Sequence, residues 1–121
     1  MATYFADTCA LIAYLKGDRA YAGYFEGNEI VTTKLNLMEL YYISLAESNE
    51  EMAGIYYDTF LAKCVEIGDE TIKKAMKFRY EQKKNFSYVD AIGYQHSLDM
   101  GVRFLTVDKQ FKGLKNAEFA K

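Results

Sequence analysis

Four carboxylates in this 121-residue sequence have neighbours that make an acid hard to explain. Asp7 follows the β-forming run Thr3–Ala6, and Asp108 follows Arg103–Val107. Glu39 and Asp90 lie inside apolar helical stretches, Leu37-Met38-Glu39-Leu40 and Tyr88-Val89-Asp90-Ala91-Ile92. A carboxylate on the buried side of a helix is costly unless something pairs with it. Lys34, the one nearby base, faces elsewhere on the helix that carries Glu39. If these acids converge they repel, by about 3 kcal/mol for two unit charges ~5 Å apart at an effective dielectric near 20. Either some stay protonated or a cation neutralises them. Oxygen donors alone select hard ions, Mg2+ or Mn2+, which keep several waters and leave room for a phosphate. Such an ion orients a water, lowers its pKa and stabilises charge developing on a phosphodiester.

Each acid also has a purely architectural reading. Asp7 can cap a helix. Asp90 can be the far end of a capping box begun by Ser87. Asp108 can open a terminal turn, and Glu39 can be partly solvated with apolar neighbours around its stem.

The elements that must position these groups alternate. Strands are expected at Thr3–Ala6, Glu29–Thr32, Cys64–Ile67, Arg103–Val107 and, briefly, Ala117–Phe119. Between them, helices start at Asp7 or Thr8, at Asp18, at Thr33, at Ser48 (with Glu51 completing a capping box), at Asp69 and at Ser87. Gly17, Gly27 and Gly101 close three of them, and the Asp69 helix runs to about Lys83. Strands alternating with helices imply right-handed βαβ units around a parallel sheet. Ligands of such sheets sit beyond the carboxyl ends of the strands, where strand order reverses. Asp7 and Asp108 both belong at that edge.

Composition narrows the classes. The chain reads as one domain over 1–121, half hydrophobic and without proline. A balance of 15 basic against 17 acidic side chains, net −2, excludes a strongly basic polyanion binder as a whole-chain description. No apolar run is long enough for a membrane span or opens the chain as a signal peptide would. Two cysteines, Cys9 and Cys64, make neither a disulfide scaffold nor a zinc site, so a cytoplasmic location is expected. One histidine, His96, leaves little material for imidazole chemistry, and it is read as structural. Setting the four acids aside leaves 15 basic against 13 acidic groups, +2. Lys83 and Lys84 before the Asp90 helix, and Lys109 and Lys112 after Asp108, are candidates for RNA phosphates or for a solvated face.

The ordered set Phe5-Ala6-Asp7-Thr8 with Ala10-Leu11-Ile12, Met38-Glu39-Leu40, Ser87-Tyr88-Val89-Asp90-Ala91 and Phe104-Leu105-Thr106-Val107-Asp108 resembles the PIN-domain ribonucleases, in particular the small VapC-type toxins of toxin–antitoxin pairs. The 18-residue gap between Asp90 and Asp108 agrees with that family. The resemblance implies a three-layer α/β/α fold with a parallel sheet in the order 3-2-1-4-5, which makes strands one and four neighbours. It implies a metal-dependent endoribonuclease, with Asp7, Glu39, Asp90 and Asp108 as the acidic site, Asp7 and Asp90 foremost as direct ligands, and Mg2+ or Mn2+ as cofactor. Thr8 and Thr106 match hydroxyl positions beside the site; Ser87 is a third hydroxyl there, with helix capping its more ordinary role. A homodimer and a cognate antitoxin, received in a groove over the early helices, are the implied partners. The sequence lacks the family's frequent proline before the last strand and has no basic residue at position 107.

Two rivals stand beside this reading. One is a catalytically silent PIN-like module that binds RNA or protein. The other is a phosphatase or phosphoacceptor, which the missing second aspartate after Asp7-Thr8-Cys9 disfavours. No glycine-rich loop for a nucleotide phosphate is present.

Overall fold

In a computed structural model, which describes residues 1–120, the chain alternates strand and helix from the start. The strands are β1 (Thr3–Ala6), β2 (Glu29–Val31), β3 (Arg103–Leu105) and β4 (Ala117–Glu118). The helices are α1 (Thr8–Leu15), α2 (Arg19–Glu26), α3 (Lys34–Glu47), α4 (Glu50–Leu61), α5 (Asp69–Glu81) and α6 (Tyr88–Met100), followed by a single 3-10 turn at Lys109–Phe111. The sheet is parallel throughout, in the order β2-β1-β3-β4.

The expected order survives with one correction. Cys64–Ile67 does not form a strand; only an isolated parallel bridge joins Cys64 to Thr32. Val65 N–H bonds the Thr32 carbonyl, and the segment then turns away before α5. Its alternation of apolar and acidic residues mimics a half-buried strand, but beyond the Thr32 bridge the segment leaves the edge of β2 and forms no further ladder.

Period-two alternation divides the core. Ala6, Ile30 and Leu105 point to the side packed by Leu11, Tyr21, Leu37, Leu40 and Phe60 from α1 to α4. Phe5, Val31 and Phe104 point to the other side, against Phe86, Tyr94 and Phe111. Both faces are dry, which explains why the strand centres read as apolar pairs rather than as apolar–polar alternation. The result is the expected α/β/α sandwich.

Helix starts were legible to within a residue, with two corrections. Asn49, not Ser48, caps α4, its side chain accepting from Met52 N–H. Gly68 precedes α5 without a side-chain cap, and Asp69 is the first helical residue, where its charge suits the helix dipole. Helix α5 also stops at Glu81, short of Lys83.

His96 packs edge-on to Phe5 with ring centres 6.0 Å apart. Both its ring nitrogens are buried without a partner among the described residues, and burial lowers its pKa. It serves as packing, as expected of a lone histidine on an apolar face.

One glycine sets how closely α6 approaches the sheet. A Cβ on Gly93 would lie 2.8 Å from Cε1 of Phe5 and 3.4 Å from Phe104, both fully buried rings that cannot step aside. Gly93 sits one turn beyond Asp90, so the same contact fixes the height of that acid over the strand ends. Gly93→Ala is therefore expected to lower stability by about 1–3 kcal/mol from overpacking, despite alanine's better helix propensity. Urea unfolding measures this, and an unchanged midpoint would mean α6 is free to slide.

Candidate active site

The parallel register decides what stands beside Asp7. Ala6 pairs with Leu105, and Asp7 N–H continues that ladder to the Leu105 carbonyl at 3.1 Å. Thr106 follows immediately on the neighbouring strand and donates its hydroxyl hydrogen to Asp7 Oδ2. Asp7 is also the cap of α1, with Oδ1 accepting from Ala10 N–H at 2.9 Å. The Cys9 thiol donates to the same carboxylate, 3.1 and 3.2 Å from its oxygens. Asp7 is 1% exposed.

The other three acids line one groove of about 630 Å3, together with Thr8, Cys9, Ser87 and an apolar wall that includes Met38 and Tyr42. Asp7 and Thr106 lie beneath it, buried and outside its lining. Glu39 comes from the middle of α3 and is held by Thr8, whose hydroxyl donates to Oε1 at 2.7 Å. Asp90 opens α6 in a reciprocal capping box: Ser87 N–H bonds Oδ2 at 3.1 Å, and Asp90 N–H bonds Ser87 Oγ at 3.0 Å. Asp108 caps the 3-10 turn by accepting from Gln110 N–H at 3.0 Å. The architectural readings of Asp7, Asp90 and Asp108 are thus true; Asp90 and Asp108 also line the hollow, and Asp7 lies buried beneath it.

Their electrostatics are one-sided. Burial pushes the Asp7 carboxyl up to about 7, against its hydrogen bonds from Thr106, Ala10 and Cys9, and the charge of Asp90 adds to the rise. Glu39 is raised by burial, opposed by the Thr8 bond, and raised further by Asp90. Asp90 is raised by burial, opposed by its Ser87 bonds, and raised by Asp108. The Cys9 thiol is pushed up to about 12, chiefly by burial and then by Asp7, so it stays protonated and acts as a donor. No lysine or arginine lines the groove, and none of the four ion pairs among the described residues includes any of these acids.

The donor set is one of carboxylate and hydroxyl oxygens, with charge that the protein itself leaves uncompensated. That chemistry fits a hard divalent cation. Among the described residues, however, no three acid, histidine or cysteine side chains are drawn into a ready-made metal-holding group. A second hollow of about 670 Å3, lined by Lys34, Cys64 and Glu66 among others, offers a single carboxylate and no comparable set.

The candidate lysines do not enter the groove. Lys83, Lys84, Lys109 and Lys112 are all exposed. Lys84 is tied to the rim, its Nζ bonding the Gln110 carbonyl at 2.9 Å. Three side chains that sequence reasoning passed over take part in the site. Cys9 donates to Asp7. Gln110 accepts from Asn85 N–H at 2.7 Å and clips the loop before α6 to the Asp108 turn. Asn36, 1% exposed, donates to Thr8 Oγ1 at 3.1 Å. A signal existed for Asn36, a poor helix former three residues before Glu39 and so on the same face. None existed for Gln110.

Comparison with known proteins agrees with this fold. The family model of the PIN domain matches residues 4–116. The fold is similar to that of Mycobacterium tuberculosis VapC20, described as a sarcin–ricin loop cleaving toxin (TM-score 0.84, 15% identity, covering 98% of this chain and 99% of that one). It is also similar to chains of VapBC2 from Rickettsia felis, bound to a DNA fragment from their promoter (0.77, 19%, 98% and 99%), and of a toxin–antitoxin complex from Klebsiella pneumoniae (0.73, 19%, 98% and 96%). No curated protein gave a significant sequence match. The chain belongs to the PIN domain family.

Asp7 carries a stability signature. A carboxyl raised from 3.8 to about 7 on folding contributes stability that is complete below pH 4 and is lost as pH rises through 7. At roughly 1.4 kcal/mol per unit, that loss is about 4 kcal/mol. With chelator present at pH 8, Asp7→Asn is expected to raise stability by about 1–3 kcal/mol, because asparagine still caps α1 while the desolvated charge is gone. The variant's stability should also vary less between pH 4 and 7. A clear fall in urea midpoint would show that the Asp7 carboxylate stabilises the fold rather than burdening it.

Proposed function

We propose that this PIN-domain protein is a metal-dependent endoribonuclease and the toxin of a toxin–antitoxin pair. The observation that carries the reading is the convergence of carboxylates from α3, α6 and the Asp108 turn on one groove, over a fourth buried at the end of β1, with no protein cation among them. Mg2+ or Mn2+ is the proposed cofactor, held by Asp90, Asp108 and Glu39 with Asp7 beneath. Bound there, the ion supplies charge neutralisation and a water of lowered pKa.

The chain's own groups do the rest. Thr8 and Thr106 hold Glu39 and Asp7 by their hydroxyl hydrogens, and the backbone N–H of Ser87 holds the Asp90 carboxylate. Burial and neighbouring carboxylates raise the proton affinity of Glu39 and Asp90 in the metal-free protein, a cost that a bound cation would relieve. Lys83, Lys84, Lys109 and Lys112 stand outside the acidic centre, where they can take phosphates flanking the scissile one.

A cognate antitoxin is the proposed regulator, as two of the similar folds described above come from toxin–antitoxin or VapBC assemblies. The exposed apolar stripe Met38, Tyr42 and Leu45 on α3 is a surface for that partner or for a second copy of the chain. Among the described residues no helix is long and apolar enough to cross a membrane, and a cytoplasmic location is proposed with the function.

The test is cleavage of an RNA panel by purified protein. Cutting should require Mg2+ or Mn2+, stop with chelator and disappear in Asp90→Asn. Cleavage that survives either treatment overturns the assignment. Separately, Mn2+ should raise the melting temperature of the wild-type protein and not of Asp90→Asn, since the ion binds the native cluster only. Metal binding with no cleavage of any RNA would support the silent-module reading instead.

A further inference from the structure

A carboxamide is an awkward thing to bury. Asn36 is 1% exposed in the first turn of α3, three residues after the Thr33 cap, where a leucine would cost less in desolvation. Its polar atoms are spent in one direction. Thr33 Oγ1 donates to Asn36 Oδ1 at 2.7 Å, and Asn36 Nδ2 donates to Thr8 Oγ1 at 3.1 Å. Thr8 Oγ1 then donates to Glu39 Oε1 at 2.7 Å.

The polarity of this chain is not arbitrary. An ionised carboxylate only accepts, so the Thr8 hydrogen is committed to Glu39 and the Thr8 oxygen must receive from elsewhere. At the other end, Thr33 Oγ1 already accepts from Asn36 N–H, so its own hydrogen goes to Oδ1. Each end of the amide is therefore selected by a different neighbour, and it fits one way round. The same logic operates at the buried acid by other means. There Asp108 N–H donates to Thr106 Oγ1 at 3.0 Å, and Thr106 passes its hydrogen to Asp7. The backbone sets that hydroxyl; at Thr8 the task falls to Asn36.

We propose that Asn36 is a positioning residue: it fixes the rotamer of Thr8 and, through Thr8, the aim of Glu39 in the groove. The positioning itself stands on the hydrogen bonds; its effect on cleavage rests on the nuclease reading. Removing a partner of this outer kind typically costs 10- to 100-fold in metal affinity or activity.

The test compares wild type with Asn36→Leu, which keeps the volume and removes the hydrogen bonds, and with Asn36→Asp, which keeps the shape and replaces the donor by an acceptor. The first readout needs neither metal nor RNA. Three-bond couplings of the Thr8 methyl carbon should report one χ1 rotamer in wild type and averaging in both variants. The second is Mn2+ affinity from thermal-shift titration, expected to weaken about tenfold. The third is RNA cleavage, where kcat should fall 10- to 100-fold with KM within about twofold. Asn36→Leu combined with Thr8→Val should be no worse than Thr8→Val alone, since both act through one hydroxyl.

Unchanged Thr8 couplings in a folded Asn36 variant overturn the proposal, as does a loss that adds to that of Thr8→Val. If Asn36→Leu fails to fold, the isosteric Asn36→Asp decides by the same couplings. A wild-type protein that cuts no RNA, with the Thr8 couplings behaving as expected, would sink the nuclease reading and leave the role of Asn36 in place.

Discussion

Taking the carboxylate of Asp7 out of water is the constraint around which the site is built. It ends the central strand, where a parallel sheet covered on both faces leaves no solvent to hydrate it. Three protein donors partly compensate: a helix-start N–H, a threonine hydroxyl and a thiol. They do not cancel the cost, for the carboxyl still sits near neutrality in its titration. Two further hydroxyls secure the same edge of the sheet, Thr32 on the Ala6 carbonyl and Tyr21 on the Thr106 carbonyl, each at 2.9 Å. The strand ends are thus clamped by buried polar contacts, and the acids above inherit a rigid floor.

Capping and chemistry share side chains here. Asp7 and Asp108 cap a helix and a turn, Asp90 lies in the first turn of α6, and all three lie at the same edge of the sheet. A helix start presents unpaired N–H groups and the positive end of a dipole, so it tolerates a carboxylate that would otherwise be expensive. Three helical starts converging on one sheet edge therefore let the fold gather anions at modest cost. Glu39, in the middle of α3, has no such help, and a hydroxyl and a carboxamide take its place.

The sequence made the acids visible because each interrupts an apolar pattern, and the strands visible because they are short β-forming runs bounded by turns. Alternation then implied a parallel sheet, while the adjacency of β1 and β3 that sets Thr106 beside Asp7 came from the family resemblance. Cys64–Ile67 misled because an extended apolar–acidic run looks the same whether or not a neighbour accepts it. Ser48 misled because Asn49, an equally good cap, is adjacent. What could not be read were hydrogen bonds spanning long stretches of chain: Asn36 to Thr8 over 28 positions, and Gln110 to Asn85 over 25. Local propensity carries no trace of a partner that distant.

The outermost strands have a consequence for assembly. β4 is two residues long, and β2 offers three before the lone bridge at Cys64 covers its far side. Neither margin exposes a row of free backbone groups long enough to template an added strand. Lateral growth by β-augmentation is closed off. Recognition of this molecule by another protein then falls to side chains on its helices and loops, a matter of sequence more than of shared backbone geometry.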